Sequence, residues 1–523
     1  MISCTFRALL TAGLLALGAA TPTAAADADN RPDIVVAVAD NPPTLEPAKE
    51  LSNVGTRITY SVFDTLIRRD FLSEKGGGGS KLVPSLATDW KRLDDKTLEV
   101  KLREGVKFQN GADFTAEDVI FTFSPERLIG DDSPLPQGRA YFGVLDHIEK
   151  IDDHTVRFVT KEPDPLLEQR LASWASWIVN KKDWLEKANG KAFAQFPVGT
   201  GPYMLDDYRA DQYVKLKAFD GYWGGKPTAS TVTFKKVPEP AARIAGLVSG
   251  EFDIITNVAP DQIPQIDGYD DIETRSVVLA NSHVLVYNTD NAVLKDKRVR
   301  QAMNLAIDRQ LLVDALWGGE AVVPNGHQYP EYGDMYQADR PGFEYNPEKA
   351  RKLLQEAGYN GEEIVYATEP QYYLNALPAA QAMLEMWKAV GLNVKLEVRE
   401  DIDTIPNDQL MVRNWSNSTR YPDPVGGLWN TWGPFGSAQK SWQTWSPEEF
   451  NKVGRELETT LDHDKRFALA VKLMDIWEDE APGTILYQPL ETYGVRKSLK
   501  WQPYTFYYMD LRPDNLKDEA HGS

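Results

Sequence analysis

Strand-like and helix-like stretches alternate along the whole chain. Ile34, Val35, Val36, Ala37 and Val38 form an unbroken apolar run, the pattern of a strand covered on both faces. From Thr97 to Arg103 the alternation is strict, with Leu98, Val100 and Leu102 on one side and Glu99 and Lys101 on the other. That predicts a half-buried strand. The segments around Val156/Phe158, Val214/Leu216 and Val394/Leu396/Val398 repeat it. Helical spacing appears at Ile58, Val62 and Leu66, and again at Ala241, Ile244, Ala245 and Val248 between Pro238 and Gly250. A third helix is predicted from the Asn346-Pro347 cap signal through Leu353, Leu354 and Ala357 to a stop at Gly358. Thr115 to Asp118 reads as a further helix start, with a capping threonine and acids at the positive end. Gly76 to Gly79 with Ser80 predicts a flexible loop tip. Strands and helices mixed in this way place the fold in the α/β or α+β class.

The first 26 residues carry a different pattern. Arg7 precedes an apolar run from Ala8 to Ala20, and Thr23-Ala24-Ala25-Ala26 offers a small-residue cleavage site before Asp27. This is the build of a secretory signal peptide, too short to span a bilayer. The expected mature chain therefore begins near Asp27 and is periplasmic. Cys4, the single cysteine, falls within the signal, so no disulfide is expected, and a core of this size needs none. Lys+Arg 57 against Asp+Glu 77 gives a net charge of −20. That balance repels nucleic acid and anionic membranes; no nucleic-acid partner and a monomer are expected.

Motifs for catalysis are missing. There is no G-x-S-x-G elbow, Walker loop or H-E-x-x-H helix. Gly199-Thr200-Gly201 is followed by Pro202, which removes an amide that a phosphate cradle would use. His147, His154, His283, His327, His463 and His521 show no metal-ligand spacing. The reading is a non-enzyme with no metal and no cofactor. An exported glycosidase working through two distant carboxylates is the enzymatic alternative.

Several segments taken in order resemble the extracytoplasmic solute-binding proteins of the dipeptide/oligopeptide/nickel importer family. They are Leu82 to Trp90, Leu102 to Phe108, Asn110 to Val119, Val198-Gly199-Thr200-Gly201-Pro202-Tyr203, Gly221-Tyr222-Trp223, Val299 to Met303 with Ala306 to Arg309, and Ala350 to Leu354. The resemblance implies the α/β class, in a two-lobed periplasmic-binding-protein fold with an extra subdomain and a two-segment hinge. On that likeness, lobe 1 spans 27–285 with a subdomain inserted at about 71–196. Lobe 2 spans 286–485, and 486–523 returns to lobe 1. The hinge is expected near Val286-Tyr287-Asn288 and Leu486-Tyr487-Gln488. The implied partners are a small-molecule ligand and the membrane permease of an ABC importer.

The stretch from Trp415 to Pro424 bears on the ligand. The resemblance implies that peptide binders keep an aspartate three residues before the acid of the acid-proline pair, where it holds the ligand's amino group. Aligned on Asp423-Pro424, that place is taken by Arg420. Its planar fork suits carboxylate or phosphate and repels an ammonium. Asn417, Ser418 and Thr419 offer neutral donors and acceptors, Asp423 lies beside them, and Trp415, Tyr421, Trp429 and Trp432 offer flat faces for a sugar ring. The expected ligand is an anionic, sugar-derived solute of opine or sugar-phosphodiester type, as in members from plant-associated bacteria. An ordinary di- or oligopeptide is the alternative. In the competing reading of the site, Arg420 pairs with Asp423 or another acid and never meets ligand.

Overall fold

Strand Asp33–Val38 lies in the middle of a seven-stranded sheet, which explains its unbroken apolar run. Thr231–Lys236 and Ile254–Ile255 flank it in parallel. Tyr213–Ala218 and Tyr203–Arg209 extend one side, and Leu490–Arg496 and Ile272–Val278 the other. A five-stranded sheet forms the heart of the second lobe, in the order Val394–Val398, Ile364–Thr368, Val412–Ser418, Asn281–Tyr287, Gly483–Tyr487. These observations come from a computed structural model that describes residues 29–187, 190–370, 372–406, 409–445 and 447–519. The expected signal peptide and its cleavage site lie outside the described residues. Arg31 onward forms one compact unit.

Between strand Ile272–Val278 of the first sheet and strand Asn281–Tyr287 of the second, the chain crosses through Leu279 and Ala280. It returns through Gln488 and Pro489, between Gly483–Tyr487 and Leu490–Arg496. Val286 and Tyr287 therefore lie inside a strand of the second sheet rather than at the crossing. That strand pairs on both sides, with Val412–Ser418 and with Gly483–Tyr487, which fixes its seven residues to the second lobe.

The half-buried strand expected from Thr97 runs to Leu102, with Leu98, Val100 and Leu102 buried. It belongs to a four-stranded sheet with Ala87–Asp94, Thr155–Thr160 and Leu145–Asp152, within the expected insertion. The insertion shares one hydrophobic core with the first lobe. Helix Pro240–Ser249 ends at Gly250 with φ +77°. Asn346 caps helix Pro347–Ala357 by accepting from the Lys349 amide at 2.9 Å.

Two expectations fail for local reasons. The helix through Ile58 and Val62 stops at Val62, because Phe63 turns extended (ψ 158°). Leu66 is buried in the following loop, while Asp64 is drawn to Arg512 at 2.7 Å. The glycine run is not a free tip either. A side chain on Gly77 (φ +73°) would sit 2.3 Å from the Pro503 carbonyl, and Arg69 donates to the carbonyls of Gly78 and Gly79 at 3.0 and 2.6 Å. Here glycine serves close backbone approach.

Candidate ligand-binding site

The central strand Val412–Ser418 of the second sheet delivers the chain to the gap between the lobes. A tight turn follows. The Thr419 amide donates to Ala280 at 3.1 Å and the Arg420 amide to Gly426 at 3.0 Å. Gly426 has no room for a side chain, since a Cβ would lie 2.3 Å from the Tyr421 carbonyl. Asp423 holds the turn from inside. It accepts from the Val425 amide at 2.8 Å and from Arg466 Nη2 at 3.0 and 2.9 Å, and it is buried. Burial pushes its carboxyl above the usual range, against the pull of Arg466. Asp423 is therefore a strut of the turn, and it is not among the residues lining the cleft.

Arg420 stands on the outer side of that turn. It lines a cleft of about 370 Å³ together with Trp415, Asn430, Thr431, Phe435 and Lys440 from the second lobe. Leu51, Pro136, Ala140, Tyr141 and Trp174 from the first lobe and its insertion complete the wall. Nε of Arg420 donates to the Tyr141 hydroxyl at 2.5 Å, and Nη1 to Thr431 Oγ1 at 3.2 Å. Its guanidinium lies 5.3 and 5.6 Å from the ring centroids of Tyr141 and Trp174. Among the described residues no carboxylate comes within 4.0 Å of it. Among the described residues no aspartate or glutamate lines this cleft, whereas Arg420 and Lys440 both do. In a chain of net charge −20, this is a local patch of the opposite sign. It has the donors to hold an anion and flat walls to cover a ring, and no set of metal ligands occurs among the described residues.

The other expected site residues divide. Trp415 is half-buried in the cleft wall, edge-on to Trp432 and Trp442. Ser418 is half-buried and accepts from Asn281 Nδ2 at 2.8 Å. Asn417 points into the second lobe's core, where its Oδ1 accepts from Trp432 Nε1 at 2.9 Å and faces His327 Nε2 at 3.2 Å. Thr419 is buried and donates to the Tyr421 carbonyl at 2.8 Å. Tyr421 is buried beneath Arg170 and borders a narrow recess with Arg69 and Arg420. Trp429 is buried against Phe450 and donates to Glu458 at 3.0 Å. Asn417, Thr419, Trp429 and Trp432 are buried, and these four are not among the residues lining the cleft.

Tyr141, Trp174, Phe435 and Lys440 were not foreseen. Phe435 carried a signal, an aromatic between Gly433-Pro434 and Gly436, and it is 66% exposed at the cleft. Tyr141 and Trp174 look like core aromatics in sequence, and only the fold brings them across the gap.

Residues 81–439 match the family described as bacterial extracellular solute-binding proteins, family 5 middle. The chain belongs to that family. Its members are transport binding proteins that work with ABC importers, and they are not enzymes. This chain is therefore a solute-binding protein of an ABC importer and not a glycosidase. It is 29% identical to the dipeptide-binding protein of Escherichia coli (strain K12) over 454 residues, 81% of this chain and 84% of that one. The fold matches the Helicobacter pylori binding protein DppA in complex with peptide STSA, with TM-score 0.82 and 23% identity over 94% of this chain and 99% of that one. It also matches AgaA from A. tumefacien R10 in complex with agropinic acid, with TM-score 0.80 and 22% identity over 93% and 99%. Both matches support the two-lobed fold. No helix among the described residues is long and apolar enough to cross a membrane.

Proposed function

We propose that this family 5 solute-binding protein carries a small anionic, sugar-derived solute of opine or sugar-phosphodiester type to its importer, with Arg420 as the anion anchor. The observation that carries this reading is the charge of the cleft, lined by Arg420 and Lys440 and, among the described residues, by no carboxylate. A desolvated guanidinium attracts a carboxylate or phosphate strongly and repels a free ammonium. Nη2 and one Nη1 proton are left for ligand after the bonds to Tyr141 and Thr431. Trp415, Tyr141, Trp174 and Phe435 supply the faces a sugar ring uses. AgaA, which shares the fold, takes agropinic acid.

The second reading is a peptide, favoured by the 29% identity to a dipeptide-binding protein. It asks Arg420 to hold the peptide's carboxylate and leaves the amino terminus without an acid in this cleft. In both readings the lobes turn about the crossings at Leu279–Ala280 and Gln488–Pro489, and the ligand favours closure by touching both sides. The mature chain starts near Asp27, is periplasmic and acts as a monomer. The deciding experiment is mass spectrometry of solute released by denaturing protein purified from its native host. An acidic sugar derivative supports the first reading, and a di- or tripeptide returns the protein to the second.

A further inference from the structure

A second set of contacts joins the lobes away from the cleft walls, through the segment Asp164 to Arg170 of the insertion. Asp164 folds this segment on itself, accepting from the Leu166 amide at 2.9 Å and from Arg170 Nε at 3.0 Å. Two side chains then leave it for the second lobe. Leu166 is 2% exposed and packs within a hydrophobic cluster otherwise made of second-lobe residues, among them Trp429, Leu457 and Ala470. Arg170 is 1% exposed at its side chain and donates through Nη2 to Glu458 at 2.8 Å, on helix Glu448–Thr459 of the second lobe. Its guanidinium also covers the Tyr421 ring at 5.5 Å. Its Nη1 donates to the carbonyl of Tyr141, the residue whose hydroxyl takes the Arg420 Nε.

We propose that Leu166 and the Arg170–Glu458 pair form a latch that holds the lobes together without a ligand, and that it positions Tyr141 against Arg420. This rests on the two-lobed hinge of the preceding section, and it changes what the hinge does. Every contact of the latch runs from protein to protein. Closure therefore has a driving force of its own: an apolar side chain removed from water and an Arg170–Glu458 contact that opening would break while Arg170 keeps Asp164. The resting protein is mostly closed, and ligand entry requires the latch to open. The closed state, in which both lobes touch the solute, is the competent one, so the latch acts on every solute alike: the apparent Kd scales with the inverse of the closed fraction. Selectivity stays with Arg420, and Arg170 and Glu458 are positioning residues.

The test reads lobe separation in protein refolded from guanidinium to strip bound solute. A chain begun at Asp27 carries no cysteine, so Leu93→Cys and Leu311→Cys, exposed on the first-lobe insertion and the second lobe, accept a dye pair for single-molecule energy transfer. The stripped parent should sit mainly in the high-transfer state. Glu458→Gln and Leu166→Ala should each move population to low transfer. Molar salt should open the parent and the Leu166→Ala protein, yet add little to Glu458→Gln. A fall of the closed fraction to a tenth should raise the apparent Kd of any solute about tenfold, with the ranking of solutes unchanged. If Glu458→Gln does not fold, Leu166→Ala and the salt series decide alone. A stripped parent already in low transfer, or variants that keep the parent's distribution, overturn the latch. A finding that the solute is a peptide overturns the anion assignment instead and leaves these distributions as they are.

Discussion

Arg466 closes on both carboxylate oxygens of Asp423, at 3.0 and 2.9 Å, with both side chains buried. This pair explains why Arg420, three residues earlier, has no acid. The nearest candidate in sequence is already spent on a partner from helix His463–Glu480. Asp423 also accepts from the Val425 amide, so it sets the turn that aims Arg420 at the cleft.

Removing one member of a buried pair leaves the other charged and unpaired. Asp423→Ala should lower stability by about 3–5 kcal/mol. Urea unfolding should show the loss as a lower midpoint at unchanged slope. Arg466→Met, which removes the opposite charge, should also destabilise. The double variant should lose less than the sum of the two, because it buries no lone charge. Strict additivity would deny the coupling.

Arg420 behaves differently, because it is half-buried and its protein partners are the Tyr141 and Thr431 hydroxyls and two ring faces rather than a buried opposite charge. Arg420→Ala should cost about 2–5 kcal/mol of binding while leaving the unfolding midpoint close to wild type. Arg420→Lys should recover only part of the affinity, since an ammonium cannot make the two-pronged contact. Arg420→Asp should abolish binding of the native solute. Calorimetry on the solute released from native protein measures all three. Unchanged affinity in Arg420→Ala would mean the anion is held elsewhere.

Gly454 sits under Trp429. A Cβ there would lie 2.0 and 2.1 Å from Cε3 and Cζ3 of the indole, and that ring is held by Glu458 and Phe450. Alanine is the better helix former by about 1 kcal/mol, yet crowding a packed core costs about 1–3 kcal/mol. Gly454→Ala should therefore melt at a lower temperature than wild type. A rise in Tm would show that the indole yields without strain.

The legible parts of the chain were those where one segment decides its own fate. The buried strand at Asp33–Val38, the alternating strand at Thr97–Leu102 and the caps at Asn346 and Gly250 follow from local pattern. Arg420 was singled out in the sequence on the resemblance alone, and its place at the cleft depends on the turn that follows strand Val412–Ser418. Asn417, Thr419 and Trp429 have the polar or aromatic character of cleft residues, yet all three turn inward, through bonds to Trp432, the Tyr421 carbonyl and Glu458 that residue type alone does not announce. Tyr141 and Trp174 were invisible as cleft residues, because their meeting with Arg420 spans 279 positions for Tyr141 alone. A still longer separation hid the glycine run, whose packing partner Pro503 lies near the other end of the chain.

Two buried histidines make stability depend on pH in a definite direction. Burial holds His283 down at about 3 and His327 at about 4, whereas an unfolded histidine titrates near 6.5. Above that value both are neutral in both states, and their contribution is complete. As pH falls below about 6.5 the unfolded chain takes up protons that the folded protein refuses, so stability drops. The drop is up to about 1.4 kcal/mol per pH unit for each histidine. It levels off near 4 for His327 and near 3 for His283. From pH 7.5 to 5.0 each should remove about 2 kcal/mol. His327→Gln removes the titrating ring and keeps a group able to reach Asn417, so its loss over that range should be about 2 kcal/mol smaller than wild type's. Urea unfolding at the two pH values measures the difference. Parallel losses would mean that His327 is protonated in the folded protein, with its charge met inside the second lobe.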